Sequence, residues 1–126
     1  MSKISVDFHI QNESQTQSFK TQGTLKDNQM IFHDEKDQKH ILTIHDQRLE
    51  YERKGDPAFV FTFEEHVLHK GTYQLGQQSM SLDIQTHELT MNANKIIIDY
   101  TLKQDDVVVG HSTINIHYHL LKEGSA

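Results

Sequence analysis

Apolar residues in this chain recur at every second position, and no stretch carries the 3.6-residue period of a helix. The clearest case runs from residue 49 to 73. Leu49, Tyr51 and Arg53 alternate there with Glu50, Glu52 and Lys54, and Gly55-Asp56-Pro57, which holds the only proline, breaks the run. Phe59, Phe61 and Phe63 follow as a second apolar row. Strict alternation sends successive side chains to opposite faces of a sheet, so each run reads as a half-buried strand. Gly and Pro between two such runs read as a turn.

The rest of the chain repeats this pattern. Ile4, Val6, Phe8 and Ile10 form one row, and a polar loop is expected over 11–17. Phe19, Thr21, Gly23 and Leu25 form the next, and Asp27-Asn28 suits a tight hairpin. Met30 with Phe32, and Leu42 with Ile44, are short rows separated by a charged turn at 35–38, with His40 in register with the second. Asp46-Gln47 turns the chain into Leu49. A helical turn or a bulge is expected at 64–68. Val67, His69, Gly71, Tyr73 and Leu75 then share a face. After a turn at 76–78, Met80, Leu82, Ile84 and Thr86 alternate cleanly, and the apolar positions shift parity over 87–91, which marks a bulge or a new strand. Ile96, Ile98, Tyr100 and Leu102 follow a turn at 92–94. Ile114, Ile116, Tyr118 and Leu120 follow one at 104–106 and end the pattern. The register between Tyr73 and Met80 stays open, and residues 122–126 are expected to fray.

Short strands joined by tight turns imply an antiparallel meander, and a meander this long tends to close because closure removes exposed edges. The expected fold is an all-β barrel of about eight to ten strands, filling residues 1–126 as one domain.

Composition narrows the function. The chain has no cysteine, which excludes disulfides and thiol chemistry. A net charge of −6 with no basic block argues against nucleic acid. No apolar run approaches a membrane span, and the N-terminus lacks an apolar signal core, so a cytoplasmic protein is expected. The ten histidines outweigh that net charge, so its sign reverses as they protonate near their ordinary pKa of about 6.5.

Arg53-x-Gly55, Tyr73, Leu82-x-Ile84-x-Thr86 and Ile96-x-Ile98-x-Tyr100 occur in this order. Together they resemble the YwiB-like family of bacterial proteins of unknown function, over residues 1–120. The resemblance implies a calycin-like (lipocalin-like) closed barrel and brings no established activity.

Arg53 is the principal candidate for a site. Its guanidinium stays ionised and needs partners inside a barrel, either backbone and acidic groups of the protein or the carboxylate or phosphate of a ligand. Tyr51, Tyr73, Tyr100 and Tyr118 fall on inward registers, and buried phenols need hydrogen-bond partners. With His69 on the face of Tyr73, these residues are the expected lining of a ligand site. Six inward phenylalanines would nearly fill a small barrel, while Gly23, Gly71, Thr21 and Thr86 would leave room. His117 and His119 share a strand face, but two ligands make no tight metal site, a third such as His111 or Asp99 would depend on the strand pairing, and no cofactor is expected. No nucleophile elbow, phosphate loop or H-E-x-x-H motif is present. Two readings remain. The first is a non-enzymatic barrel that binds a small anionic or amphiphilic ligand. The second is an interaction or regulatory module with a packed core, where outward Ile31, Ile41, Val60, Leu68, Ile97 and Val108 could seed a homodimer.

Overall fold

The computed structural model describes residues 2–121. The expected tail at 122–126 lies outside them. Ten strands follow one another along the chain: β1 (Ser2–Asn12), β2 (Thr16–Lys26), β3 (Gln29–His33), β4 (Lys39–Ile44), β5 (Leu49–Lys54), β6 (Ala58–Phe63), β7 (Leu68–Leu75), β8 (Gln78–Asn92), β9 (Lys95–Gln104) and β10 (Val107–Leu120). Each pairs antiparallel with its sequence neighbours, and β10 returns to β1, which closes the sheet. The result is a calycin-like up-and-down barrel. No helix among the described residues is long and apolar enough to cross a membrane.

The alternation read from the sequence sets the inward face. Ile4, Val6, Met30, Leu42, Leu49, Phe63, Ile84, Ile96, Ile98 and Ile116 have no exposed surface. The turn residues lie between these rows. Asp27 takes a positive φ in the first tight hairpin, and Asp105 and Asp106 both do so in the last, the pair of left-handed residues that a two-residue hairpin needs. The parity shift after Thr86 is a bulge in β8. Thr86 pairs with Tyr100 and Glu88 with Asp99, so His87 is the extra residue. Tyr73 and Met80 are direct cross-strand partners, which fixes the register left open above.

Several expectations change. The loop at 11–17 shrinks to three residues, because Asn12 Oδ1 accepts hydrogen bonds from the Ser14 and Gln15 amides and lets both strands run on. The segment 64–67 is a turn with His66 at positive φ, not a helix. Val67, Leu75 and Leu120 are exposed rather than inward, since the first sits in that turn and the others at strand ends. Strand β10 starts earlier than Ile114, at Val107, with a bulge between Val108 and Gly110.

The small residues do not leave the room expected of them. A Cβ at Gly71 would sit 2.7 Å from Ile84 Cδ1, Phe61 Cδ1 and the Val60 carbonyl, and one at Gly23 would strike the Ile31 carbonyl. Both glycines are places where neighbours already fill the space. The open volume lies at one end of the barrel.

The turns at 13–15, 34–38, 55–57, 76–77 and 105–106 gather at that end, called here the mouth. Those at 27–28, 45–48, 64–67 and 93–94 form the base.

Candidate functional site

A cavity of about 710 Å³ opens at the mouth. Its wall is apolar and largely aromatic, with Phe8, Phe19, Phe59, Phe61, Phe63, Ile10, Leu102 and Ile114. These side chains belong to the inward rows, and Phe63 reaches the cavity from deepest in the barrel. Phe8 stacks on Phe19 with ring centres 4.9 Å apart, and Phe59 on Phe61 at 4.5 Å. Asp34, Glu35 and Lys36 from the β3–β4 turn contribute to the polar part of the lining, together with His40, Tyr51 and Arg53 and with Asn12, Gln15 and Gln17 around the β1–β2 turn.

The last three sit on paired strands, with His40 directly across from Arg53. Asp34 joins them through its turn. Its Oδ1 accepts hydrogen bonds from the Lys36 amide (2.9 Å) and the Gln38 amide (3.0 Å). Its Oδ2 accepts from His40 Nε2 at 2.9 Å and from an Arg53 terminal nitrogen at 3.4 Å. Burial alone would raise the Asp34 pKa, but the hydrogen bonds from His40, Gln38 and Lys36 outweigh it and bring the carboxyl down to about 2. Asp34 is therefore ionised and can only accept.

That charge decides the tautomer of His40. Nε2 must carry the proton given to Asp34, so Nδ1 accepts the Tyr51 hydroxyl at 2.6 Å. Burial lowers the His40 pKa, and Arg53 lowers it further, against the opposing pull of Asp34. Burial likewise raises Tyr51 well above the ordinary phenol value. Tyr51 O–H, neutral His40, Asp34 carboxylate and Arg53 guanidinium thus form one satisfied chain. The ring of His40 lies 4.9 Å from Phe32 and nearly parallel to it, which holds the imidazole plane. With both ring nitrogens engaged, His40 can take a proton from a bound molecule only by giving up Tyr51.

Arg53 bonds groups of the protein itself. One terminal nitrogen donates to the Pro57 carbonyl at 2.7 Å and the other to Asp34, so it ties the β5–β6 turn to the β3–β4 turn. Arg53 is also part of the cavity lining.

Four of the residues expected in a site, Arg53, Tyr51, Tyr73 and Tyr100, line this cavity. Burial pushes Tyr100 up to about 12, against a hydrogen bond with Ser112, its partner on β10. His69 and Tyr118 do not join them. His69 bonds Glu64 at 2.9 Å, and Tyr118, at the base, donates to the Asn92 carbonyl at 3.2 Å. His117 and His119 stand opposite Asp7 and Ser5 of β1, while His111 and Asp99 lie farther along, opposite Thr101 and Thr113. Ile31 and Ile41 are cross-strand partners, as a docking patch would need, but each is half-buried. Asp34 was not legible as a site residue, because a turn aspartate has no register. The only local signal was the inward register of His40, which required an acceptor.

The crystal structure of the ywiB protein from Bacillus subtilis is similar to this chain. It aligns with a TM-score of 0.68 over 95% of this chain and 91% of that one, at 16% sequence identity, which supports a shared fold. No curated protein matches the chain. The profile of a family described as Domain of unknown function (DUF1934) matches residues 3–120, nearly the whole alternating pattern, and the chain belongs to that family.

Proposed function

We propose that the protein is a non-enzymatic barrel that binds one small amphiphile in the mouth cavity. The observation that carries this reading is the cavity itself, about 710 Å³ with an aromatic wall and a polar side made by Asp34, Glu35, Lys36 and Arg53. Pockets that take small ligands have this size, this apolar lining and these few placed polar groups. The wall would hold the apolar body of the ligand, and Arg53 with Lys36 would meet its head group. Two carboxylates balance two cations there, and His40 is neutral, so an uncharged hydrogen-bonding head fits as well as an anionic one. The absence of enzymatic chemistry in this reading rests on His40, whose nitrogens are both engaged.

The test is displacement of a fluorescent fatty-acid probe, with a fatty acid and a monoacylglycerol as competitors. Both should displace it with affinities within a few fold of each other. Leu102→Trp, which fills the cavity without touching the polar chain, should weaken both about tenfold or more. Failure of the unmodified protein to bind the probe or either competitor would end this reading.

One observation favours the second reading, an interaction module. Leu75, Val107, Val108 and Val109 are exposed on the hairpins of the mouth end. Under that reading Val108→Asp would lower the solution mass measured by light scattering from that of a dimer to that of a monomer. A monomeric parent would remove self-association from it.

A further inference from the structure

On the outer surface, away from the cavity, β8, β9 and β10 bring together His87, Asp99 and His111. One ligand atom from each lies within 4.8 Å of the other two. We propose that these residues form a divalent transition-metal site, open to solvent, of the two-histidine, one-carboxylate type.

The sheet explains how the three meet. Asp99 and His111 point outward because Ile98, Tyr100 and Ile114 on the same strands point inward. His87 reaches the same face through the β8 bulge. Thr86 is buried, and without an extra residue Glu88 would have to point inward. The bulge places His87 and Glu88 outward in succession, and bulges commonly re-aim a side chain in this way. The two imidazoles meet edge to face, with ring centres 5.8 Å apart, and span β9 from either side.

A second observation points to a cation. The bulge sets Glu88 directly across from Asp99. Like charges facing each other across a strand pair are unfavourable. In the metal-free arrangement His111 Nε2 bonds Asp99 Oδ1 and His87 Nε2 bonds Thr101 Oγ1 at 2.7 Å. A divalent ion would take the place of the proton shared by His111 and Asp99 and draw His87 off Thr101. Nitrogen and oxygen ligands at about 2.0–2.2 Å suit zinc, and three protein ligands leave at least one position for water. Borderline donors of this kind also suit nickel and copper and disfavour calcium and magnesium.

Zinc alone is the probe, titrated calorimetrically into the full chain at neutral pH, with His87→Gln, His111→Gln, Asp99→Asn and the control His117→Gln/His119→Gln. The expected result is one zinc per chain, weakened about tenfold or more by each of the first three and unchanged in the control. Cobalt(II) should report the same site by its visible absorption bands, lost in His87→Gln. All five substituted residues are exposed or half-exposed, and circular dichroism checks that each variant keeps its sheet. Three outcomes overturn the proposal: no zinc uptake by the parent, undiminished uptake by His87→Gln and His111→Gln, or loss of uptake in the control. The cavity plays no part in this experiment, so its result is independent of amphiphile binding.

Discussion

The two ends of this barrel are made of the same alternating strands, yet they are held together differently. At the base, the aliphatic side chains of Ile4, Met30, Leu49, Ile96, Ile98 and Ile116 are packed with no exposed surface. At the mouth, the inward rows continue as aromatics around open space, with Phe19, Phe59 and Tyr73 half-buried, and the turns are tied by Tyr51, His40, Asp34 and Arg53. Burial stabilises the base in rough proportion to area, while the mouth depends on a few charge-assisted hydrogen bonds. A packed end can thus support an end that stays open.

The contrast breaks first if core truncation costs the same at both ends. Ile98→Ala should destabilise by about 2–5 kcal/mol, since it leaves a cavity in a dry, close-packed region. Phe19→Ala, on the half-open wall, should cost about 1 kcal/mol, because its ring already faces space. Urea midpoints of the two variants decide this, and equal shifts would mean that the mouth is as tightly packed as the base.

Next in size is the polar tie. Asp34→Ala should cost about 3 kcal/mol, the low end for breaking a buried ion pair, because it strands Arg53, His40 and two turn amides. Arg53→Met should cost less, since Asp34 keeps its other three donors. If Arg53→Met leaves stability unchanged and abolishes probe binding, the guanidinium serves the ligand rather than the turns.

Acid should loosen the mouth before the base. Asp34 falls from the ordinary 3.8 to about 2 in the folded protein, so its contribution is fully present above pH 3.8 and is lost as pH drops toward 2. That difference corresponds to about 2 kcal/mol. His40 acts in the same direction. Its folded pKa lies below 6.5, so the unfolded chain takes up the proton first, and stability begins to fall as pH drops below that value. Asp34 opposes this shift, while Arg53 and His33 reinforce it. Urea midpoints measured between pH 3.8 and 2 should fall in the parent and fall less in Asp34→Ala, and parallel curves there would show that the acid sensitivity lies elsewhere.

Within the polar tie, the smallest effect is expected at Tyr51. Tyr51→Phe keeps the packing and removes the donor to His40 Nδ1, for about 1–2 kcal/mol. Nitrogen-15 NMR of the imidazole should show the Nε2–H tautomer in the parent, and its absence there would contradict the assigned direction of the hydrogen-bond chain.

Much of the fold was legible because period-two alternation is a local property. The rows containing Val6, Leu42, Ile84 and Ile98 could be read one by one, and the parity change over 87–91 marked a bulge or a new strand, which the pairing of β8 with β9 resolves as a bulge at His87. The inward aim of Arg53 came from register alone. Its partners did not, because Asp34 lies in a turn, where alternation carries no information. Gly71 and Gly23 misled for a related reason. A small residue in a row shows that something lies close, but not whether it is space or a neighbour's side chain.

By itself, then, the sequence determined which residues face inward and where the strands turn, since both follow from the steric preferences of adjacent residues. Only the tertiary structure decided that the aromatic rows part at the mouth and leave a cavity, that Asp34 folds over onto His40 and Arg53, and that His87, Asp99 and His111 meet on three strands. These are contacts between residues far apart in the chain, and they depend on strand pairing and closure, which no local pattern encodes.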